Sequence, residues 1–588
     1  MSATLEAREP VARYLATPPL LQHFDRVAQA PGGIARLREL ILTLAVQGKL
    51  VRQDPTDEPA SVLLERIRAE KARLVREGRI RKEKPLAAIA EEEKPFALPV
   101  GWEWARLNQL LTKIGAGSTP LGGKEVYVSE GIKFLRSQNV WNDGLRLTDV
   151  AYIKPETHRK MSGTVVLAGD ILFNITGASI GRCAIVPVSF DEANVSQHVT
   201  IIRPTLPTVT CYLHLVLISP HVQQTVMDVQ VGVSREGLSI GKLGQFLVPI
   251  PPLAEQSRIV TRVEELMAVC DTLEETGRLA AVQHERLAGA LFDALANSAT
   301  AEEATENWQR IAPHFDLLLD RTSTVDRLEQ TILQLAVRGR LVPQNPADEP
   351  ASVLLQKIRS EKDRLIAAGK LKRDKPLPPI SDEEKPFSLP EEWEWTHLSD
   401  VCLSITDGTH QTPKYVEVGR PFLSAQNIKP FCFMPQIQRF VSEEDFIALR
   451  KGRTPKRGDV LMTRVGAMIG EAAVINTDLE FAFYVSLALL SLPPSLFNPD
   501  FLTIWINSPY GTANSVRKTL GRGVSAGNLN LSYIRAFATP LPPLAEQSRI
   551  VARVAELRDL CAQLRQRLAA TAQTQTRLAE ALIEKAVT

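Results

Sequence analysis

Pro251-Pro-Leu-Ala-Glu-Gln-Ser-Arg-Ile-Val260 recurs letter for letter as Pro542 to Val551. An identity of that length inside one chain means duplication, and its extent organises everything else. At the same offset, Trp102-Glu-Trp104 returns as Trp393 to Trp395, Glu93-Lys-Pro-Phe96 as Glu384 to Phe387, and Asp57-Glu-Pro-Ala-Ser-Val-Leu-Leu64 as Asp348 to Leu355. Between these blocks, residues 105–248 and 396–539 share only landmarks. These are Ser137-Gln-Asn139 against Ala425-Gln-Asn427, Gly169-Asp-Ile-Leu172 against Gly458-Asp-Val-Leu461, and Gly232-Val-Ser234 against Gly523-Val-Ser525. The offset drifts across them, so small insertions lie inside the divergent parts, where surface loops tolerate them. A constant frame carries two variable modules.

The frame reads as helical. From Leu253 onward, Ile259, Val263, Leu266, Cys270, Leu273, Ala280, Leu287 and Leu291 follow a heptad seam with gaps at Gly277 and His284, matched in the second copy by Ile550, Val554, Leu557, Cys561, Leu564, Leu568, Leu578 and Leu582. Leu253 to Ala296 would make a rod of about 65 Å. Residues 298–310 read as a loose connection. Helical periodicity is expected over Arg36–Val46 and Asp326–Val337, with Gly48 and Gly339 closing these helices in the left-handed conformation. Charged helices follow over Ala60–Glu77 and Ala351–Ala368. In the variable modules, Gly, Pro, Asn and Asp punctuate short β-rich runs such as Thr164–Phe173, Arg182–Val188, Val199–Ile202 and Asp459–Val465, while Cys211–Met227 and Phe501–Leu520 read as helices. Each module fits a mixed α/β domain.

Composition sets outer bounds. The 588 residues are 44% hydrophobic and 23% charged, enough for several cores, and the formal net charge of +2 neither demands nor forbids a nucleic-acid partner. Met1 to Pro10 has no basic-then-apolar pattern, and no run approaches the roughly 20 apolar residues of a membrane span, so a cytoplasmic protein with no membrane contact is expected. The six cysteines form no Cys-x-x-Cys pair and read as reduced, mostly buried thiols. Catalytic constellations are missing: Gly117 to Lys124 misses the phosphate-loop spacing, and neither a Gly-x-Gly-x-x-Gly helix start nor His-Glu-x-x-His occurs. Asn507-Ser-Pro-Tyr510 resembles the Asn-Pro-Pro-Tyr tetrapeptide of adenine methyltransferases, but serine replaces the first proline and Ser-Pro reads as a helix start. His198, His221, His410 and Cys432 lack metal-ligand spacing. Neither catalytic nor metal-ligating residues are assigned.

The positive signals are those of recognition. Ser118, Thr119, Arg136, Gln138 and Asn139 in the first module, and Thr409, His410, Gln411, Gln426 and Asn427 in the second, are loop-borne polar sets, and Arg, Gln and Asn are the side chains that grip base edges in a major groove. Ser234-Arg235 and Arg522-Gly523-Val-Ser525 lie beside glycines that permit close approach to phosphates or bases. Arg450, Lys451, Arg453, Lys456 and Arg457 form the densest basic cluster, answered by Lys154, Arg159 and Lys160; Lys456 and Arg457 are the expected phosphate contacts.

Pro-Pro-Leu-Ala-Glu-Gln followed by Ser-Arg-Ile-Val and a heptad helix, twice, each time after a divergent module, resembles the specificity subunit of type I restriction-modification systems. Leu44-Ala-Val-Gln-Gly-Lys-Leu50 and Leu335-Ala-Val-Arg-Gly-Arg-Leu341 resemble the same family, and the resemblance spans nearly the whole chain. It implies an α/β (α+β) architecture: two target-recognition domains separated by long antiparallel coiled-coil helices, with pseudo-twofold symmetry. The divisions expected are a helical arm at 1–103, a first recognition domain at 104–250, a central region with coiled-coil helix and second arm at 251–394, a second recognition domain at 395–541, and a coiled-coil helix at 542–588. Each recognition domain is then expected to read one half of a split site in double-stranded DNA. The implied partners are two modification subunits, which methylate adenine with S-adenosylmethionine, and motor-nuclease restriction subunits using ATP and Mg; no cofactor is expected on this chain. The competing readings are a coiled-coil scaffold whose variable modules bind proteins and, more weakly, a self-sufficient methyltransferase.

Overall fold

The duplicated blocks converge on one hub per copy. In the computed structural model, which describes residues 24–82, 86–120, 123–231, 237–437, 439–466, 468–519 and 527–587, the indole N–H of Trp102 donates to Glu255 at 3.0 Å and Gln53 donates to the other carboxylate oxygen at 2.7 Å. Gln256 closes the turn by donating to the carbonyl of Pro251, and Arg258 pairs with Asp57. In the second copy Trp393 donates to Glu546 at 3.0 Å, Gln344 to Glu546 at 2.6 Å, Gln547 to Pro542, and Arg549 pairs with Asp348. Three of the four literal repeats supply partners in this set, which explains why those letters could not drift apart: a buried carboxylate that loses a partner costs more than the bond was worth. Burial pushes the carboxyls of Glu255 and Glu546 above the usual range, against the pull of the tryptophan and glutamine donors.

Gly48 and Gly339 have φ of 71° and 68°, closing helices Gly33–Val46 and Thr322–Val337 as expected. A Cβ at either would press on Pro99 and Trp102, or on Pro390 and Trp393, so the same glycine also lets the arm reach the hub. The second arm helices are Ala60–Arg76 and Ala351–Ala367.

By contact the chain divides into two units, one running to Leu279 and taking in the chain from Thr571, the other spanning Ala280–Ala570. The long helices Leu253–Ala296 and Leu544–Val587 each contribute to both. In the first unit, Ile259, Val263, Leu266 and Cys270 enter one core with Ala579 and Leu582. In the second, Ala288, Phe292 and Leu295 join Ile550, Val554 and Cys561. The start of one helix thus shares a core with the end of the other, the antiparallel arrangement. The seam expected from the heptads is corrected at three positions: Ala280, Leu287 and Leu578 are exposed. The gaps at Gly277 and His284 break the stripe, which resumes one position later at Ala288.

A second correction concerns residues 298–310, where Ala301–Ile311 is a helix rather than a loose connection. The Thr300 hydroxyl caps it by accepting from the Glu303 amide, and Trp308 packs edge-on against Phe315 at 5.0 Å.

The arm helices lie on the long helices through ion pairs, some of which have their polarity inverted between copies. Arg38 pairs with Asp271 and Glu274 in the first unit; Glu329 pairs with Arg558 and Arg565 in the second. Arg38 and Glu329 are equivalent positions in the repeat, as are Glu274 and Arg565. Burial works against the Glu329 charge, but the two guanidiniums hold its carboxyl below the usual range.

Each module is closed at its base by an antiparallel pair, Glu103–Arg106 with Leu247–Ile250 and Glu394–His397 with Ala538–Leu541. Inside the first, a four-stranded antiparallel sheet runs Cys183–Ile185, Ile171–Asn174, Val199–Pro204, Leu111–Ala116. A second, mixed sheet has Ala193–Val195 parallel to Ile132–Leu135. The second module repeats this with Ser404–Asp407, Leu487–Ser491, Val460–Thr463 and Ala472–Val474, and with Ala482–Phe483 parallel to Arg420–Leu423. Runs such as Val-Leu-Met-Thr are buried on both faces, as strands packed between layers must be. The two predicted module helices each break at Ser-Pro, giving Thr210–Ile218 with Pro220–Val231 and Pro499–Asn507 with Pro509–Arg517. All six cysteines are free; Cys211 and Cys432 are exposed and the other four buried.

Candidate nucleic-acid interface

Strand register brings a set of loops to one end of each module. In the first, the segment after Ala193–Val195 is the fastening point: the Ser118 amide donates to Val195 O, Ser196 N to Leu135 O, Gly117 N to Val199 O and Ile175 N to His198 O. In the second, Thr409 N donates to Phe483 O, Tyr484 N to Leu423 O, Val485 N to Thr409 O and Arg464 N to Ser486 O. The same four chain segments meet in both. Gly117 and Gly408 are required there, because a Cβ at either would lie well inside van der Waals contact distance of the carbonyl oxygen of Val195 or Phe483.

On the first module this end exposes Ser118, Thr119 and Gln138, with Thr176 hydrogen-bonded to His198 at 2.7 Å. Arg136 is half-buried, and its Nη2 donates to the Asp149 carbonyl at 3.2 Å. On the second module it exposes His410, Gln411 and Gln426. The geometry offers a rim of hydroxyl, amide and imidazole groups on short loops held by rigid strands, which suits contact with base edges and backbone of a duplex.

Residues 99–284 match the family model described as the type I restriction modification DNA specificity domain. The chain is 35% identical to the type I restriction enzyme EcoAI specificity subunit of Escherichia coli, over 94% of each chain. It belongs to the type I restriction enzyme specificity subunits. It is also 33% identical to the EcoEI specificity subunit of Escherichia coli over 94% of each, and 26% identical to the EcoBI specificity subunit over 59% of this chain and 60% of that one.

Within this specificity subunit several expected readers take other roles. Asn139 and Asn427 are buried, and both ends of each amide are used: Arg136 N and Ser424 N donate to their oxygens, while their nitrogens donate to Arg146 O and Met434 O. They shape the loop beside Gln138 and Gln426 and offer no edge to a base. Thr409 is buried too, its hydroxyl accepting from the Gln411 amide at 3.3 Å, so it forms the turn that presents His410 and Gln411. Lys456 and Arg457 are exposed but precede Val460–Thr463, so they lie at the strand end opposite Arg464, and Arg457 pairs with Asp478. Arg450 is paired with Glu480. The basic cluster is therefore apart from the loops that carry His410 and Gln426. Ser234, Arg235, Arg522 and Ser525 lie outside the described residues.

Asn507 is held as a helix-to-strand clamp, accepting from the Ala472 amide at 3.0 Å and donating to the Ala472 carbonyl at 2.8 Å. Ser508 caps the following helix through the Gly511 amide, and Tyr510 packs on Phe387. The tetrapeptide is structural. Among the described residues no group of three His, Cys, Asp or Glu side chains is placed to hold a metal ion, and no helix is long and apolar enough to cross a membrane.

Sequence reading missed Arg464, Asp407, Thr176 and Trp141. Trp141 donates to the Gln138 carbonyl at 2.8 Å and is packed by the guanidiniums of Arg146 and Arg182, 3.8 and 3.7 Å from its ring centre. The available signal was the alignment of the copies, which sets Arg464 against Ile175 at the end of a β-rich run.

Proposed function

We propose that each module, taken as residues 104–250 and 395–541, reads one half of a bipartite site in double-stranded DNA with its loop end, while the duplicated frame offers two equivalent docking surfaces to two methyltransferase subunits. The observation that carries this reading is the shared loop scaffold: corresponding backbone fastening around Gly117 and Gly408, on which Gln138 and Gln426 correspond while exposed Thr119 gives way to His410. A constant platform with variable readers is what an asymmetric target needs, and quasi-equivalent frames give one partner two places to bind. Methylation of a stacked base requires its extrusion, a task for the partner while this chain fixes register. S-adenosylmethionine, ATP and Mg belong to the partner subunits in this scheme, including a restriction subunit.

A salt-dependent, sequence-selective gel shift of the assembled complex tests the reading. Binding that prefers one bipartite sequence by several orders of magnitude supports it. Equal affinity for every duplex, or none, would assign the modules to protein partners instead.

A further inference from the structure

The two modules fasten their loops with different chemistry. Where the first has Ile175, the second has Arg464, whose residue is 5% exposed and whose three guanidinium nitrogens all donate. Its Nε donates to Leu529 O at 3.0 Å, Nη1 to Val485 O and to Asp407 Oδ2, both at 3.0 Å, and Nη2 to Asn528 Oδ1 at 3.2 Å. Its own carbonyl accepts from the Leu529 amide at 2.8 Å. The oxygen of Asp407 that binds Arg464 also lies 3.1 Å from Nε2 of His410, whose side chain is 67% exposed. The equivalent positions in the first module are Ala116, Thr119 and Ile175, so these three residues belong to the second reader and not to the frame.

We propose that His410 is a base-reading residue of the second module, accepting a hydrogen bond from the exocyclic amino group of an adenine or cytosine, and that Asp407 and Arg464 are positioning residues that hold it in this state. The inference rests on the DNA-reading assignment above. A carboxylate pinned to a guanidinium only accepts, so the imidazole proton sits on Nε2, facing Asp407. In the tautomer that this hydrogen bond selects, Nδ1 is the acceptor, with no partner among the described residues. In a major groove, acceptors are matched by adenine N6 and cytosine N4, the amino groups that distinguish these bases from thymine and guanine. The planar fork of Arg464 ties four loop segments to one another, which fixes where that nitrogen points, and a lysine cannot span the same acceptors.

The test uses the complex with its methyltransferase subunits and duplexes carrying each of the four bases at every position of both half-sites. His410→Ala is expected to flatten the preference at one position of the second half-site by about tenfold, leaving the first half-site as in the wild type. Asp407→Leu and Arg464→Met should flatten the same position, in protein shown by thermal unfolding to be folded. Asp407→Asn keeps an oxygen for both donors and should retain more of the preference than Asp407→Leu. The proposal is overturned if His410→Ala weakens every duplex equally or changes no position. It is equally overturned if the controlled position favours guanine or thymine. A wild-type complex with no sequence preference would sink the DNA-reading assignment itself, and the inference with it, before any variant is compared.

Discussion

Trp102 and Trp393 donate to Glu255 and Glu546 at the same 3.0 Å, whereas Ile175 and Arg464, which hold one place at the loop ends of the two modules, share only their backbone bonds. The frame is constrained by itself: each buried polar partner must be present or its mate is stranded. The modules keep what fixes the loops, among it the strand register, Gly117 and Gly408, and the buried Asn139 and Asn427, and let most exposed side chains differ. Where two copies of a fold remain identical, the residues answer to each other; where they diverge, they answer to something outside the chain.

The largest effects should come from the frame and be equal in the two halves. Trp102→Ala and Trp393→Ala each remove a buried indole and strand a carboxylate, and each should cost about 3–5 kcal/mol by denaturant unfolding. Costs that differ severalfold would break the equivalence of the hubs. Next in size, Gly117→Ala and Gly408→Ala should each displace their loop by overpacking, at about 1–3 kcal/mol, and blur only their own half of the recognised sequence. Blurring of both halves by either variant would show that the readers are not independent.

Smaller is a pH effect. Glu255 and Glu546 have folded-state carboxyls raised above the unfolded value, so the native state binds more protons over that interval and stability falls as pH rises through the raised pKa. Glu255→Gln removes that slope, so the stability of the variant relative to wild type should improve from acid to neutral pH in paired unfolding titrations. Glu329, whose carboxyl is lowered, contributes with the opposite sign: its stabilisation is present above the unfolded value and lost in acid. The smallest effect sharpens the inverted charges. Arg38→Glu should cost about 0.2–1 kcal/mol, since the pair is partly exposed, and adding Glu274→Arg should recover most of it by creating the polarity already present in the second copy.

Legibility in the sequence followed the same division. The repeats located both arms, the long helices and the hub residues, because buried polar partners leave identical letters. The heptad reading overreached at Leu287 and Leu578, where periodicity continues but the core does not, since apolar spacing alone cannot say which neighbour is there to be packed against. The helix Ala301–Ile311 was hidden by its Ala, Thr and Glu composition, and is held by a Thr300 cap and a tryptophan contact that reach beyond the local pattern. At the candidate site, residue type does not separate a base reader from a loop strut: Asn139 and Asn427 have the chemistry of adenine readers and spend it on neighbouring backbone. Arg464 was invisible for the opposite reason, a charged residue buried by partners that come from three distant segments.

The account stands on two independent readers borne by equivalent frames. Its most direct test is a chain in which residues 104–250 are replaced by a second copy of 395–541, expressed with the methyltransferase subunits, followed by mapping of the methylated sites. The account predicts an inverted repeat whose two halves both match the second half of the wild-type site. Retention of the original asymmetric site by a folded, assembled chimera would contradict it.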